Sequence, residues 1–130
     1  MVRFATAALL LAVTSVVVVG CHSGGSGSVT VATPVDFVYE AQFISETAQE
    51  VYFWNSPFDF AFVEIEAFGL LGEFTVEVFD AEDRLIYSEK HFGLGDDQIS
   101  VGETGLGVPG EWVIVISTFD AWGKVEVEVY

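Results

Sequence analysis

The 130-residue chain has one cysteine, two histidines and four basic residues, and each shortage closes off a class of function. A lone cysteine, Cys21, has no partner for a disulfide within the chain. Two histidines, His22 and His91, lie far apart, and no His/Cys cluster has zinc spacing. Neither H-E-x-x-H nor a P-loop occurs, and no nucleophile elbow accompanies His91 as a base. Four Lys+Arg stand against 20 Asp+Glu, a formal net charge of −16 with a pI of about 4.1. Such a chain repels phosphates, which sets nucleic acid aside as a partner. Helical periodicity is also missing throughout.

What is present is apolar. Hydrophobic residues make up 52% of the chain and aromatics 15%, too much for a disordered acidic chain, so a packed core in one domain is expected. The excess acid reads first as a solubility surface, suited to a salty habitat, and it also permits divalent cations.

The N-terminus is distinct from the rest. Phe4 to Val19 holds no charged residue and follows the single positive charge of Arg3. At 16 residues the run is short for a spanning helix, which needs about 20, and it fits a secretory signal peptide. Cys21 stands where this run ends. As a catalytic thiol it would need a formed pocket, and it sits beside a flexible tract. Val18-Val19-Gly20-Cys21 resembles the lipobox of bacterial lipoproteins, with an aliphatic residue at −3, a small one at −1 and the cysteine at +1. The resemblance implies a signal peptide over residues 1–20, cleaved before Cys21, and a diacylglycerol on the thiol. His22 at +2 is not the aspartate that retains many such proteins in an inner membrane. The implied location is therefore the cell membrane or outer membrane, with the body facing the periplasm or the exterior. Two or more acyl chains anchor stably where one is marginal. Residues 21–28 then form the lipidated cysteine and a Gly/Ser tether, CHSGGSGS. An acidic body is expected to be repelled by anionic headgroups, so the tether would hold a domain that does not itself hug the bilayer.

Residues 29–130 read as strands. Val125, Val127 and Val129 alternate with Lys124, Glu126 and Glu128; Phe74, Val76 and Val78 alternate in the same way. Further alternation covers Val63–Ala67, and Arg84–Lys90 reads as the return arm of a hairpin after Asp80–Asp83. Weaker runs are Val35–Phe43, Glu50–Trp54 and Gln98–Val101, with a turn or bulge near Asn55–Phe58. Trp112–Ile116 is almost continuously apolar and predicts a central strand covered on both faces. The glycines of Gly93–Gly95 and Gly102–Gly110 are read as turn chemistry. The expected fold is all-β: an antiparallel, jelly-roll-like β-sandwich of seven to eight strands. The texts FTVEVFDAEDRLIYSEK, PGEWVIVIS and WGKVEVEVY also resemble the bacterial pre-peptidase C-terminal domain, a small jelly-roll-like sandwich. That resemblance covers roughly Ser45 to Tyr130 and implies an accessory module used for stability, secretion or binding to polymers. Asp83 stands where that family has a turn glycine.

Two constellations could carry chemistry. Asp80, Glu82 and Asp83 share one turn, and Asp96 and Asp97 another, which makes calcium a candidate cofactor. Their spacing is not D-x-D-x-D-G, and turn-forming acids are the plainer reading. Trp54, Phe58, Phe60, Phe62, Phe119 and Trp122 are the candidate binding patch. The plainer reading is that they fill the core and the barrel ends, where large aromatics dominate, although Phe60 and Phe62 share a face with Glu64 and Glu66. The paired glutamates lie along single strands rather than across a groove, so glycosidase chemistry is not expected. The chain thus reads as a lipid-anchored, non-catalytic binding or accessory module. It would meet an envelope protein or glycan; the alternative is a calcium-dependent or glycan-binding surface module.

Overall fold

Alternating apolar and acidic residues make strands, and the computed structural model, which describes residues 27–130, contains five of them. They are β1 (Gly27–Ala32), β2 (Phe37–Ser56), β3 (Phe62–Phe79), β4 (Leu85–Glu103) and β5 (Gly110–Val129). All neighbours are antiparallel, in the order β1-β2-β5-β3-β4. The expected signal peptide, Cys21 and most of the expected tether lie outside the described residues.

Five strands replace the seven to eight expected, and the reason is local. The eight runs seen in the sequence are the halves of four long strands. Val35–Phe43 and Glu50–Trp54 belong to β2, Val63–Ala67 and Glu73–Phe79 to β3, Arg84–Lys90 and Gln98–Val101 to β4, and Trp112–Ile116 and Lys124–Tyr130 to β5. Between the halves each chain bends without leaving the sheet. The bends carry left-handed residues, Ser45 at φ 52° in β2 and Asp120 at φ 44° in β5, and the ladder slips register beside them. In β3 the bend needs Gly72, at φ 80°, where a Cβ would lie 2.2 Å from the carbonyl oxygen of Asp120. Gly93–Gly95 likewise lies inside β4 rather than in a turn between strands.

Because the bends fall along one line, the sheet folds back on itself and its two halves meet face to face. Rings from the first and second halves touch across the interior. Tyr39 packs edge-on against Tyr52 at 5.5 Å, and Phe37–Tyr52 and Phe43–Phe74 each lie 5.8 Å apart. Each such pair adds about 1 kcal/mol beyond simple burial. Alternation sets which side chains enter: Val63, Ile65, Phe74, Val76, Val78, Val125, Val127 and Val129 are all buried. β5 is central, as expected. Only one of its faces is fully covered, however: Trp112, Ile114 and Ile116 are buried, while Val113 and Val115 are half-buried.

A folded sheet leaves its two sides open, and there the inner surface turns polar. On one side the Tyr39 hydroxyl donates to Glu50. Burial, reinforced by Glu50, pushes the phenol of Tyr39 far above its ordinary range. On the other side Tyr87 donates to Glu89, beside His91. β1 starts at Gly27, two residues before the expected start of the domain at Val29. Gly27 pairs with Ala41 and lies over the Tyr39 ring, where any side chain would collide with the hydroxyl.

Candidate functional site

The folding gives the molecule two different ends. All four chain reversals (residues 33–36, 57–61, 80–84 and 104–109) gather at one end, tied together by backbone bonds such as Gly107 N–H to Asp59 O at 2.6 Å and Thr104 N–H to Ala61 O at 2.9 Å. All the strand bends lie at the other end.

At the loop end, Phe58, Phe60, Phe62 and Tyr130 line a cleft of about 280 Å³. Pro57 ends β2, and the short connection that follows brings Phe58 and Phe60 beside the start of β3. Phe62 is the first residue of β3. It exchanges backbone hydrogen bonds with Tyr130, at 2.7 and 3.0 Å, which sets the two rings 5.7 Å apart. Phe60 stands edge-on to Phe62 at 5.9 Å. The Tyr130 hydroxyl donates to Glu64 at 3.5 Å, so a carboxylate sits on the rim of an otherwise apolar cleft. Burial and the nearby Glu64 and Glu128 raise the Tyr130 phenol.

The structure brings Phe58, Phe60 and Phe62 together and separates them from the other expected patch residues. Trp54 is only 2% exposed: its ring meets Trp112 edge-on at 5.9 Å, and its Nε1–H donates to the carbonyl of Thr33 at 2.7 Å. It belongs to the core because inward parity on β2 carries Tyr52 and Trp54 to the same face. Phe119 and Trp122 are exposed, but they flank a bend inside β5 rather than a turn, at the opposite end of the molecule. Tyr130 is the cleft residue that the sequence reading missed. Parity would have found it, since Lys124, Glu126 and Glu128 point outward and Tyr130 continues their row.

Of the candidate calcium ligands, Asp80, Asp96 and Asp97 accept hydrogen bonds from the protein itself. Asp80 is fully buried, and both of its oxygens accept protein donors. Oδ1 takes the N–H groups of Glu82 and Arg84; Oδ2 takes the Arg84 guanidinium at 2.7 and 2.9 Å and the Val108 N–H at 3.0 Å. Burial alone would raise this carboxyl, but the Arg84 backbone and guanidinium, with Val108 and Glu82, hold it well below the usual carboxylate range. Asp80 therefore stitches the β3–β4 turn to the loop before β5. Glu82 is exposed, 3.8 Å from Arg84. Asp83 takes φ 60°, a left-handed conformation that favours glycine. Asp97 accepts the Gly69 N–H at 2.8 Å, and Asp96 the Leu94 N–H at 3.1 Å. Among the described residues no group of three or more His, Cys, Asp or Glu is placed to hold a metal.

Two further groupings complete the polar surface. On the outer face Glu126 lies between Glu40 and Glu66, and Glu128 beside Glu64, in direct cross-strand register. Burial and these neighbouring carboxylates raise both Glu126 and Glu128. Around His91, Nε2 faces both Glu89 at 3.1 Å and Ser100 at 3.3 Å, while Nδ1 faces Gln98 at 2.8 Å. A hydrolytic relay needs serine and carboxylate on opposite ring nitrogens. Here they share one, so the cluster does not form a triad.

No protein-family model and no curated protein matches the chain. Among solved structures it is similar to a CBM4 structure, with a TM-score of 0.48 and 8% identity over 84% of this chain and 79% of that one. It is similar also to the enzymatically active domain of bacteriophage CBA120 tailspike protein 4 (TM-score 0.43, 9% identity, 87% of this chain and 18% of that one). A third is an arabinose-bound MgGH51 α-L-arabinofuranosidase (0.40, 10%, 89% and 22%). The chain thus spans about a fifth of the length of the last two.

Proposed function

We propose that the protein is a non-catalytic glycan-binding module of the cell envelope, held on a lipid anchor at Cys21, with the loop-end cleft as its binding site. The observation that supports this is the cleft itself: about 280 Å³, walled by Phe58, Phe60, Phe62 and Tyr130, with the carboxylate of Glu64 on its rim. Binding sites for small ligands are concave and mostly apolar, with a few polar groups that fix orientation. A sugar ring matches that pattern. Its C–H face lies against an aromatic ring, and its hydroxyls donate to carboxylates such as Glu64 and Glu128. A rim with net negative charge disfavours acidic glycans, so neutral sugars are the substrate class.

The test is calorimetric titration with neutral oligosaccharides of the envelope and of plant and microbial walls. Phe62→Ala should weaken binding at least tenfold without changing the melting temperature by more than a few degrees. Trp122→Ala, at the other end, should leave binding unchanged. Equal affinity of the Phe62 variant and the parent protein would remove the cleft from the reading.

A further inference from the structure

The bend end carries an apolar surface that the proposed glycan site does not use. Cross-strand register makes it contiguous. Trp122, Leu71 and Leu94 lie side by side across β5, β3 and β4, and the adjacent row is Phe119, Glu73 and Phe92. Leu94 is 81% exposed, Phe119 63% and Phe92 61%. Five large apolar side chains thus share one surface about 10 to 15 Å across. Contiguous apolar exposure of this kind marks an interaction site rather than an ordinary exterior.

Three observations point to the occupant. Gly27, the first residue of β1, pairs with Ala41, four residues from the β2 bend at Ser45. Cys21 lies six residues before Gly27, and six residues reach at most about 20 Å. Finally, the only two lysines in the chain are both here. Lys90 is two residues from Phe92 and reaches Glu73 at 3.5 Å, and Lys124 is two residues from Trp122. This end also carries the acids Glu46, Glu73, Asp96, Asp97 and Asp120, of which Glu73 pairs with Lys90, while Asp96 and Asp97 accept backbone N–H groups and keep their charge. Tryptophan, phenylalanine and leucine flanked by lysine are what a bilayer interface accepts.

We infer that this bend-end surface docks on the lipid bilayer, so that the domain lies against the membrane with its cleft facing away. The inference rests on the lipid anchor at Cys21 for its geometry, and it replaces the expectation of a body held clear of the membrane. Docked this way, the acidic residues of the outer face and the loop end are turned away from the bilayer, and repulsion orients the domain rather than expelling it.

Trp122 is a built-in reporter, since Trp54 and Trp112 are buried. The body closes its own core within residues 27–130, so residues 22–130 with hexahistidine in place of Cys21 can be held on phosphatidylcholine vesicles containing nickel-chelating lipid. Brominated acyl chains should then quench the exposed tryptophan emission at least twofold, and iodide quenching should fall by a similar factor. Trp122→Phe should abolish both changes, and Phe92→Ser with Leu94→Ser should reduce them. Vesicle-bound protein whose Trp122 remains open to iodide and blind to bromolipid overturns the inference. Shielding that appears without vesicles and grows with protein concentration also overturns it, in favour of contact between two copies. Membrane fractionation of the full chain and its Cys21→Ser variant tests the anchor separately, so either idea can fail without the other.

Discussion

The two ends of this domain reverse the chain by different physics. At the loop end the polypeptide leaves the sheet, and side chains rebuild the lost hydrogen bonds. Asp80 gathers Glu82, Arg84 and Val108, Thr104 accepts the Ala61 N–H at 3.0 Å, and the Trp112 indole donates to the carbonyl of Val108 at 2.9 Å. At the bend end the chain stays in the sheet and turns through left-handed residues and glycines. The first solution needs polar side chains and leaves room for a cleft between loops. The second needs little side chain near the bend axis and pushes large apolar groups outward. An open cleft at one end and an exposed apolar surface at the other thus follow from how each end turns.

The largest effect should come from denying the bend its space. Gly72→Ala places a Cβ 2.2 Å from the Asp120 carbonyl in a left-handed backbone. The conformational cost is about 1–2 kcal/mol and the overpacking cost about 1–3 kcal/mol, so a loss of about 3–4 kcal/mol is expected in urea unfolding. Gly69→Ala is the matched control, since Gly69 has φ 61° but nothing within 4 Å of its would-be Cβ. It should lose about 1 kcal/mol, the conformational part alone. Equal losses would mean that close approach plays no part in the bend.

The loop end should instead fail through acid. Asp80 titrates below its unfolded value, so its contribution is complete above about pH 4 and is lost as pH falls toward the folded pKa. Glu126 and Glu128 run the other way. Their raised values mean that the folded state takes up protons first, so stability falls as pH rises through those values toward neutrality. Thermal melts should therefore improve on mild acidification, peak near about pH 4 to 5, and then fall steeply. Asp80→Asn should remove most of the steep acid limb and lower the melting temperature at pH 7. Glu126→Gln should flatten the gentle limb and leave the steep one in place. A monotonic rise from pH 4 to 7 in the parent protein would contradict the carboxylate ladder.

Most of the strand content was legible because parity is written residue by residue. Val125, Val127 and Val129 against Glu126 and Glu128 leave little choice of face, and the hairpin at Asp80–Asp83 was visible in its acids. What was not legible is continuity. A bend through Ser45 or Asp120 and a true turn between strands use similar residues, so eight halves read as eight strands. β1 was partly hidden because Gly27 and Ser28 share the composition of the tether. The cleft was half visible: the parity that exposes Phe60 and Phe62 was used, and the same parity at Tyr130 was not. Trp54 misled because a cluster of aromatics in sequence is not one in space. Phe92 and Leu94 gave no signal, since their exposure depends on where β4 folds.

The smallest effect concerns one residue of the loop end that uses the backbone conformation of the bend end. Asp83 is left-handed at φ 60°, and its N–H donates to the carbonyl of Asp80 at 3.0 Å to close the turn. Glycine reaches this conformation at no steric cost, but it also enlarges the unfolded ensemble, a cost of roughly 0.5–1 kcal/mol. Aspartate tolerates the region better than most residues, which limits what glycine can recover. The balance for Asp83→Gly is a gain of up to about 0.5 kcal/mol, readable as a small rise in urea midpoint with an unchanged slope. Asp83→Val has no such latitude, because a β-branched side chain is a genuine outlier at positive φ, and it should lose about 1–2 kcal/mol. If glycine and valine instead shift the midpoint alike, the Asp80 clasp holds the turn whatever residue stands at 83, and side-chain hydrogen bonding alone closes the loop end.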